Sequence, residues 1–204
     1  MAVISNGTTI IDAGDVSVAK GALTHIKTLT ASSSASLSFV DGASGVVLDN
    51  TYKEYIFKFI NIHPSGGTHV NFTMNLSSDA GSNYNVTKTT NFFRTYHEES
   101  GGSSNLLYQT EFDLAQSTGE VLLMAYGSGT DADSNISGLM NLYDPSSTVF
   151  VKHFIANMSA TDGSYEHNHY IAGYGNTTSA IDGVRFKFSS GNIDAGIIKL
   201  YGVS

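Results

Sequence analysis

Val70-Asn71-Phe72-Thr73-Met74-Asn75-Leu76-Ser77 is the stretch that decides the fold. Phe72, Met74 and Leu76 fall on one side of an extended chain, and Asn71, Thr73, Asn75 and Ser77 on the other. A period of two predicts a strand with one face in a core and the other in water. Gly183-Val184-Arg185-Phe186-Lys187-Phe188 repeats the pattern, with Val184, Phe186 and Phe188 inward. Leu106, Tyr108, Thr110, Phe112 and Leu114 alternate with Gln109, Glu111 and Asp113, which predicts one strand through that stretch. Residues 52–62 are nearly apolar on both sides (Tyr55, Phe57 and Phe59 against Ile56, Ile60 and Ile62), as expected of a central strand. Residues 149–158 and 196–203 read similarly.

Further strands are expected at 23–30, 36–40, 84–88, 91–96, 120–126, 136–143 and 165–172. Between them lie turn clusters such as Asp41-Gly42, Ser65-Gly66-Gly67, Asp79-Ala80-Gly81-Ser82-Asn83 and Ser190-Gly191-Asn192. Short strands at regular spacing, with no sustained helical period, predict an all-β fold, an antiparallel β-sandwich or a barrel. Residues 21–204 read as one domain. Residues 1–20 are the least patterned and are expected to form an N-terminal arm or a first strand.

Composition narrows the function. The chain has 204 residues, with Lys+Arg 10 against Asp+Glu 18 and a net charge of -8. Such a chain gains nothing from counterion release, so nucleic acid is not an expected partner. Charged residues make up 14%, against roughly 25% in an average domain, and Asn, Ser and Thr fill the gap. Hydrophobic residues at 41%, with 11 Tyr and 11 Phe, exclude a disordered chain. No apolar run approaches the roughly 20 residues of a membrane span, and the first residues lack a basic, then apolar, signal pattern. The expectation is synthesis in the cytoplasm with no membrane partner. Cys is absent, which excludes disulfides, thiolate metal sites and Cys nucleophiles.

Several short motifs occur without the context that their chemistry requires. Gly127-Ser128-Gly129-Thr130-Asp131-Ala132 fits the dinucleotide fingerprint, but the following Asp133-Ser134-Asn135 reads as a turn where a helix is required. Asp131, Asp133 and Asn135 begin like a calcium loop. Ile136 then occupies the position that needs Gly, and Leu142 the position that needs a bidentate Glu. These three are the candidate metal ligands, but no metal and no cofactor is expected. His167 and His169, two apart on one strand face, would need a remote third ligand such as His153. Glu98 and Glu99 are adjacent and point apart, so they do not form a glycosidase pair. No hydrolase, zincin or P-loop motif occurs, and no catalytic residue is assigned: the chain is not expected to be an enzyme. Tyr165, Tyr170 and Tyr174 lie in a Gly- and Asn-rich stretch. Rings that stack on sugar faces beside amides that bond hydroxyls make them candidates for a glycan site, with a subunit interface as the plainer role.

Three segments together carry a resemblance. They are Tyr52-Lys53-Glu54-Tyr55-Ile56-Phe57-Lys58-Phe59-Ile60-Asn61-Ile62-His63-Pro64 leading into residues 72–85; Leu142-Tyr143-Asp144-Pro145-Ser146-Ser147-Thr148 running into Val151-Lys152-His153-Phe154; and the C-terminal residues 181–203. Their order resembles a group of virion structural proteins of tailed bacteriophages, many of them marine, over roughly residues 50–204. The resemblance implies a jelly-roll β-sandwich on the particle surface. It would act as a capsid-decoration (cement) protein or an exposed tail or fibre module. It also implies partners: further copies of itself in a homo-oligomer, with a trimer as one candidate, and the major capsid protein or tail proteins. The tyrosines add the alternative of a carbohydrate-binding module for a host surface glycan.

Overall fold

Phe72, Met74 and Leu76 are fully buried, as are Val184 and Phe186, so the alternation in these two stretches marks true core faces. The opposite side of residues 72–77 is not in water as expected: Thr73, Asn75 and Ser77 are at most 5% exposed, because Lys88 and the chain at Thr118 close over that side and bond Asn75. The computed structural model describes residues 22–67 and 69–204, together with three short strands before them. Those are β1 (Val3–Ser5), β2 (Thr8–Asp12) and β3 (Asp15–Val16), which pair antiparallel as a small sheet. The rest of the expected arm lies outside the described residues.

Twelve strands follow: β4 (Leu23–Thr30), β5 (Leu37–Val40), β6 (Glu54–Pro64), β7 (Phe72–Ser77), β8 (Lys88–Glu98), β9 (Ser104–Tyr108), β10 (Val121–Met124), β11 (Ile136–Tyr143), β12 (Lys152–Thr161), β13 (Tyr165–Gly175), β14 (Gly183–Phe188) and β15 (Ile193–Val203). They form two antiparallel sheets. The large one has eight strands in the order β4-β15-β6-β11-β12-β13-β8-β9, and the small one has four, β10-β7-β14-β5. Only β8–β9 and the β11–β12–β13 meander connect neighbours in one sheet; every other connection from β4 onward changes sheet.

Aromatic residues join the layers. Phe186 of the small sheet packs edge-on against Phe57 (5.3 Å) and Phe59 (5.0 Å) of the large sheet, and stacks on Phe72 at 6.2 Å. Phe39 of β5 meets Phe57 at 5.3 Å. All five are at most 2% exposed. Burial of each ring contributes about 1.5–3 kcal/mol, and edge-to-face pairs add about 0.5–1.5 kcal/mol.

The structure departs from the sequence expectations at four further places. The ladder through residues 106–114 breaks after Tyr108, where a 3₁₀ turn at Thr110–Phe112 folds the chain inward. That turn packs Phe112 against Phe92 (5.2 Å) and leaves Leu106 and Tyr108 exposed. Residues 84–87 are not a strand. They follow the turn in which Asp79 accepts from Ser77 and Asn83, and β8 starts only at Lys88. Val149 and Phe150 precede β12 and are exposed. Strand β6 is central, between β15 and β11, but its second apolar face is not core: Ile56 is half-buried and Ile60 is exposed. Asn61 at φ 51° bulges the strand and turns Ile62 back inside. The bulge is accommodated by Gly196 (φ 118°), where an added Cβ would stand 2.6 Å from the Asn61 carbonyl oxygen.

Candidate functional site

The eight-stranded sheet extends beyond the four-stranded one, and its two faces carry different chemistry. On β13, Tyr165, His167, His169 and Ile171 face inward, while Glu166, Asn168, Tyr170 and Ala172 face outward. The three tyrosines singled out in the sequence are therefore not brought together: Tyr165 lines an inner pocket, and Tyr170 and Tyr174 stand on the outer face.

The inner pocket, about 240 Å³, lies where β13 and β8 run past β10 and is lined by His69, Arg94, Tyr96, Ser103, Tyr126, Asp162, Tyr165 and His167. Register brings these groups together: His167 is opposite Tyr96, and His169 opposite Arg94. The Arg94 guanidinium lies over the Tyr126 ring at 4.5 Å and the Tyr96 ring at 5.2 Å. Its Nε donates to Gln109 Oε1 at 3.2 Å and its Nη1 to His167 Nδ1 at 3.4 Å. Among the described residues Arg94 forms no ion pair with a carboxylate, and its other N–H groups have no protein acceptor.

The neighbours are ordered to match. His167 Nε2 donates to Asp162 Oδ2 at 3.3 Å, which leaves Nδ1 as the acceptor that Arg94 uses. Burial pushes the His167 pKa down, against the opposing pull of Asp162, so the ring is neutral. Burial also works against the Asp162 carboxylate. The backbone N–H groups of Tyr165 and Ser164, with His167, outweigh it and hold that pKa below the ordinary value. His169, behind the pocket, is fully buried; burial first, then His167 and Arg94, lower its pKa to about 3. Its Nδ1 accepts from the Ala125 N–H at 3.4 Å, and its Nε2 has no hydrogen-bond partner among the described residues. Two pocket residues sit in the left-handed region, Tyr126 (φ 67°) and His69 (φ 58°), tied by a His69 Nδ1–Tyr126 carbonyl bond of 2.8 Å. Such conformations cost about 1–3 kcal/mol each and gather where a side chain must be aimed; here the Tyr126 ring is aimed at Arg94.

The outer face is apolar and uncharged at its centre. Tyr108, Phe93, Tyr170, Asn157 and Leu139 are cross-strand neighbours in one row, and Asn91, Ala172, Ile155, Asn141 and Ile56 in the next. Five strands at about 4.8 Å spacing make this patch roughly 20 Å wide. Its exposed hydrophobic side chains range from 39% (Phe93) to 58% (Tyr108), with Leu106 at 65% beside them. A trough runs over Ala172 between Ile155, Tyr174 and His153 on one side and Phe93 and Tyr170 on the other.

The metal candidates do not converge. Asp131 and Asp133 are exposed in a turn closed by Ser134 N–H to the Asp131 carbonyl (2.9 Å). Among the described residues no group of three His, Asp or Glu side chains is placed to hold an ion. His153 is exposed on the outer side of β12, across the sheet from His167 and His169, so it is not their third ligand. Sequence patterning does not by itself single out Arg94, Tyr96 and Tyr126. The available signal was a charged residue in phase with two inward aromatic rings, Phe92-x-Arg94-x-Tyr96.

Comparison with family models, with curated proteins and with solved structures finds no match for this chain.

Proposed function

We propose that the chain is a structural module of a bacteriophage virion surface, a capsid-decoration protein or an exposed tail or fibre module, that assembles through the outer face of its large sheet. The observation that carries the assembly reading is the uncharged apolar patch centred on Phe93, Tyr170 and Ile155. Patches of this extent on a soluble chain mark contact surfaces. The occupant is a second copy. A chain of net charge -8 repels its like, and this is a broad face on which two copies meet without opposing charges. The virion assignment itself rests on the sequence resemblance. A jelly-roll winding is part of the proposal, supported by the connections, nearly all of which change sheet from β4 onward.

The test is copy number in purified particles, measured by quantitative mass spectrometry against the major capsid protein. A ratio near one supports decoration, a small ratio supports a tail or fibre position, and absence overturns the assignment.

The Arg94 pocket supports a second reading, recognition of a host surface glycan that bears a carboxylate. Arg94 supplies a cation with no ion-pair partner among the described residues, Tyr96, Tyr126 and Tyr165 supply rings, and Ser103 supplies a hydroxyl. Binding of acidic but not neutral oligosaccharides by isothermal titration is the outcome that supports it; no heat with either class overturns it.

A further inference from the structure

Lys88 opens β8 with its side chain fully buried, and among the described residues no carboxylate forms an ion pair with it. Its Nζ lies 2.6 Å from Asn75 Oδ1 and 2.5 Å from the Val86 carbonyl oxygen. Asn75, in β7 of the opposite sheet, is also buried, and its amide is clamped. Nδ2 donates to the Thr118 carbonyl at 3.1 Å, and Oδ1 accepts from the Leu76 N–H at 2.9 Å. An amine is thus fixed beside a carboxamide carbon that cannot turn away.

The protonation states suit an attack. Burial lowers the Lys88 pKa to about 8, opposed by the nearby Glu120 carboxylate, so a neutral amine is accessible close to neutral pH. The β10–β7 register pairs Val121 with Met74, which sets Glu120 level with Asn75. Glu120 Oε1 accepts from Arg185 Nη2 at 2.7 Å, whereas Oε2 is buried with no hydrogen-bond partner among the described residues. A buried carboxylate oxygen left unpaired calls for an explanation, and a proton-transfer role beside Lys88 and Asn75 supplies one.

We propose that Lys88 and Asn75 join in an intramolecular isopeptide bond, with Glu120 carrying the proton. The Nζ lone pair adds to Asn75 Cγ and forms the new C–N bond. Glu120 Oε2 takes a proton from Nζ and returns it to Nδ2. The Cγ–Nδ2 bond then breaks, its electron pair leaving on nitrogen as ammonia. An amine and a carboxamide become a secondary amide and ammonia, with no oxidant, reductant or co-reactant. The bond ties the large sheet to the small one in a chain that has no Cys. Lys152 is an internal contrast. It is equally buried, but its Nζ donates to the Thr177 and Ser179 backbone carbonyls and meets no side-chain amide.

The experiment is an intact mass and a tryptic map of the purified wild-type chain. The expected result is a mass lower than the sequence mass by one ammonia, with no cleavage after Lys88. One peptide from Phe59 to Arg94 then carries the loss, while cleavage after Lys152 is normal. A full mass with a free peptide ending at Lys88 overturns the proposal. Lys88→Met removes the amine and restores the full mass; persistence of the ammonia loss in that variant places it elsewhere and also overturns the proposal. Glu120→Gln should leave most of the chain unlinked, and complete linkage in it overturns the role given to Glu120.

Discussion

Phe93 and Tyr170 stack on the outer face of the large sheet, ring planes 9° apart and centroids 5.0 Å apart, both open to solvent. Two rings held parallel at the surface of neighbouring strands give the patch a rigid centre with little side-chain entropy to lose on association. Ile155, at 51% exposure, adjoins them. Replacing Ile155 with Lys puts a charge in the middle of the patch without opening the core. The expected outcome in sedimentation velocity is a shift toward monomer, with unfolding free energy changed by less than about 1 kcal/mol. An unchanged sedimentation coefficient removes this face from the assembly.

Phe186 bridges the two layers through Phe57 and Phe59 and stacks on Phe72 of its own sheet. Phe186→Ala removes the ring on which both sheets converge and leaves a cavity. The loss should be about 3–5 kcal/mol in urea unfolding. A loss under about 1 kcal/mol would mean that the sheets do not depend on this contact.

His169 links stability to acid. Its folded pKa of about 3 lies below the ordinary 6.5, so the unfolded chain binds a proton that the folded chain refuses. Its contribution is intact above pH 6.5 and is lost as pH falls from 6.5 toward 3. By about pH 5 the loss is roughly 2 kcal/mol. In His169→Phe the pH slope attributable to this residue should vanish, although the Ala125 N–H loses its acceptor and the variant starts less stable by about 1–3 kcal/mol. Denaturation midpoints of both proteins between neutral pH and about pH 5 read the difference directly.

Arg94 decides the glycan reading. Arg94→Ala should weaken binding of a carboxylated oligosaccharide by about tenfold or more, because the pocket loses its guanidinium cation. Arg94→Lys should recover only part of it, since an ammonium cannot present the planar, ring-stacked fork. Tyr170→Ala, on the other face, should leave this binding unchanged.

Much of the candidate site was hidden in the sequence. Tyr165 and Tyr170 look equivalent in their Gly- and Asn-rich stretch, yet an odd spacing of five sends them to opposite faces of β13. Arg94 becomes a pocket cation only because Tyr126 and His69 close over it from another part of the chain. Lys88 and Asn75 are ordinary polar residues in sequence. Their juxtaposition comes from the loop between β7 and β8 returning across the sandwich.

The sequence by itself determined the all-β class and the two principal core faces. Alternation with a period of two in residues 70–77 and 183–188 is a local property of an extended chain, and the turn clusters punctuate it. Only the tertiary structure decided the division into eight and four strands, the end of the ladder at Tyr108, and the exposure of Ile60, Phe93 and Ile155. Those outcomes depend on which strands pair and on where the small sheet stops covering the large one. Such contacts join residues far apart in the chain, and local periodicity carries no record of them.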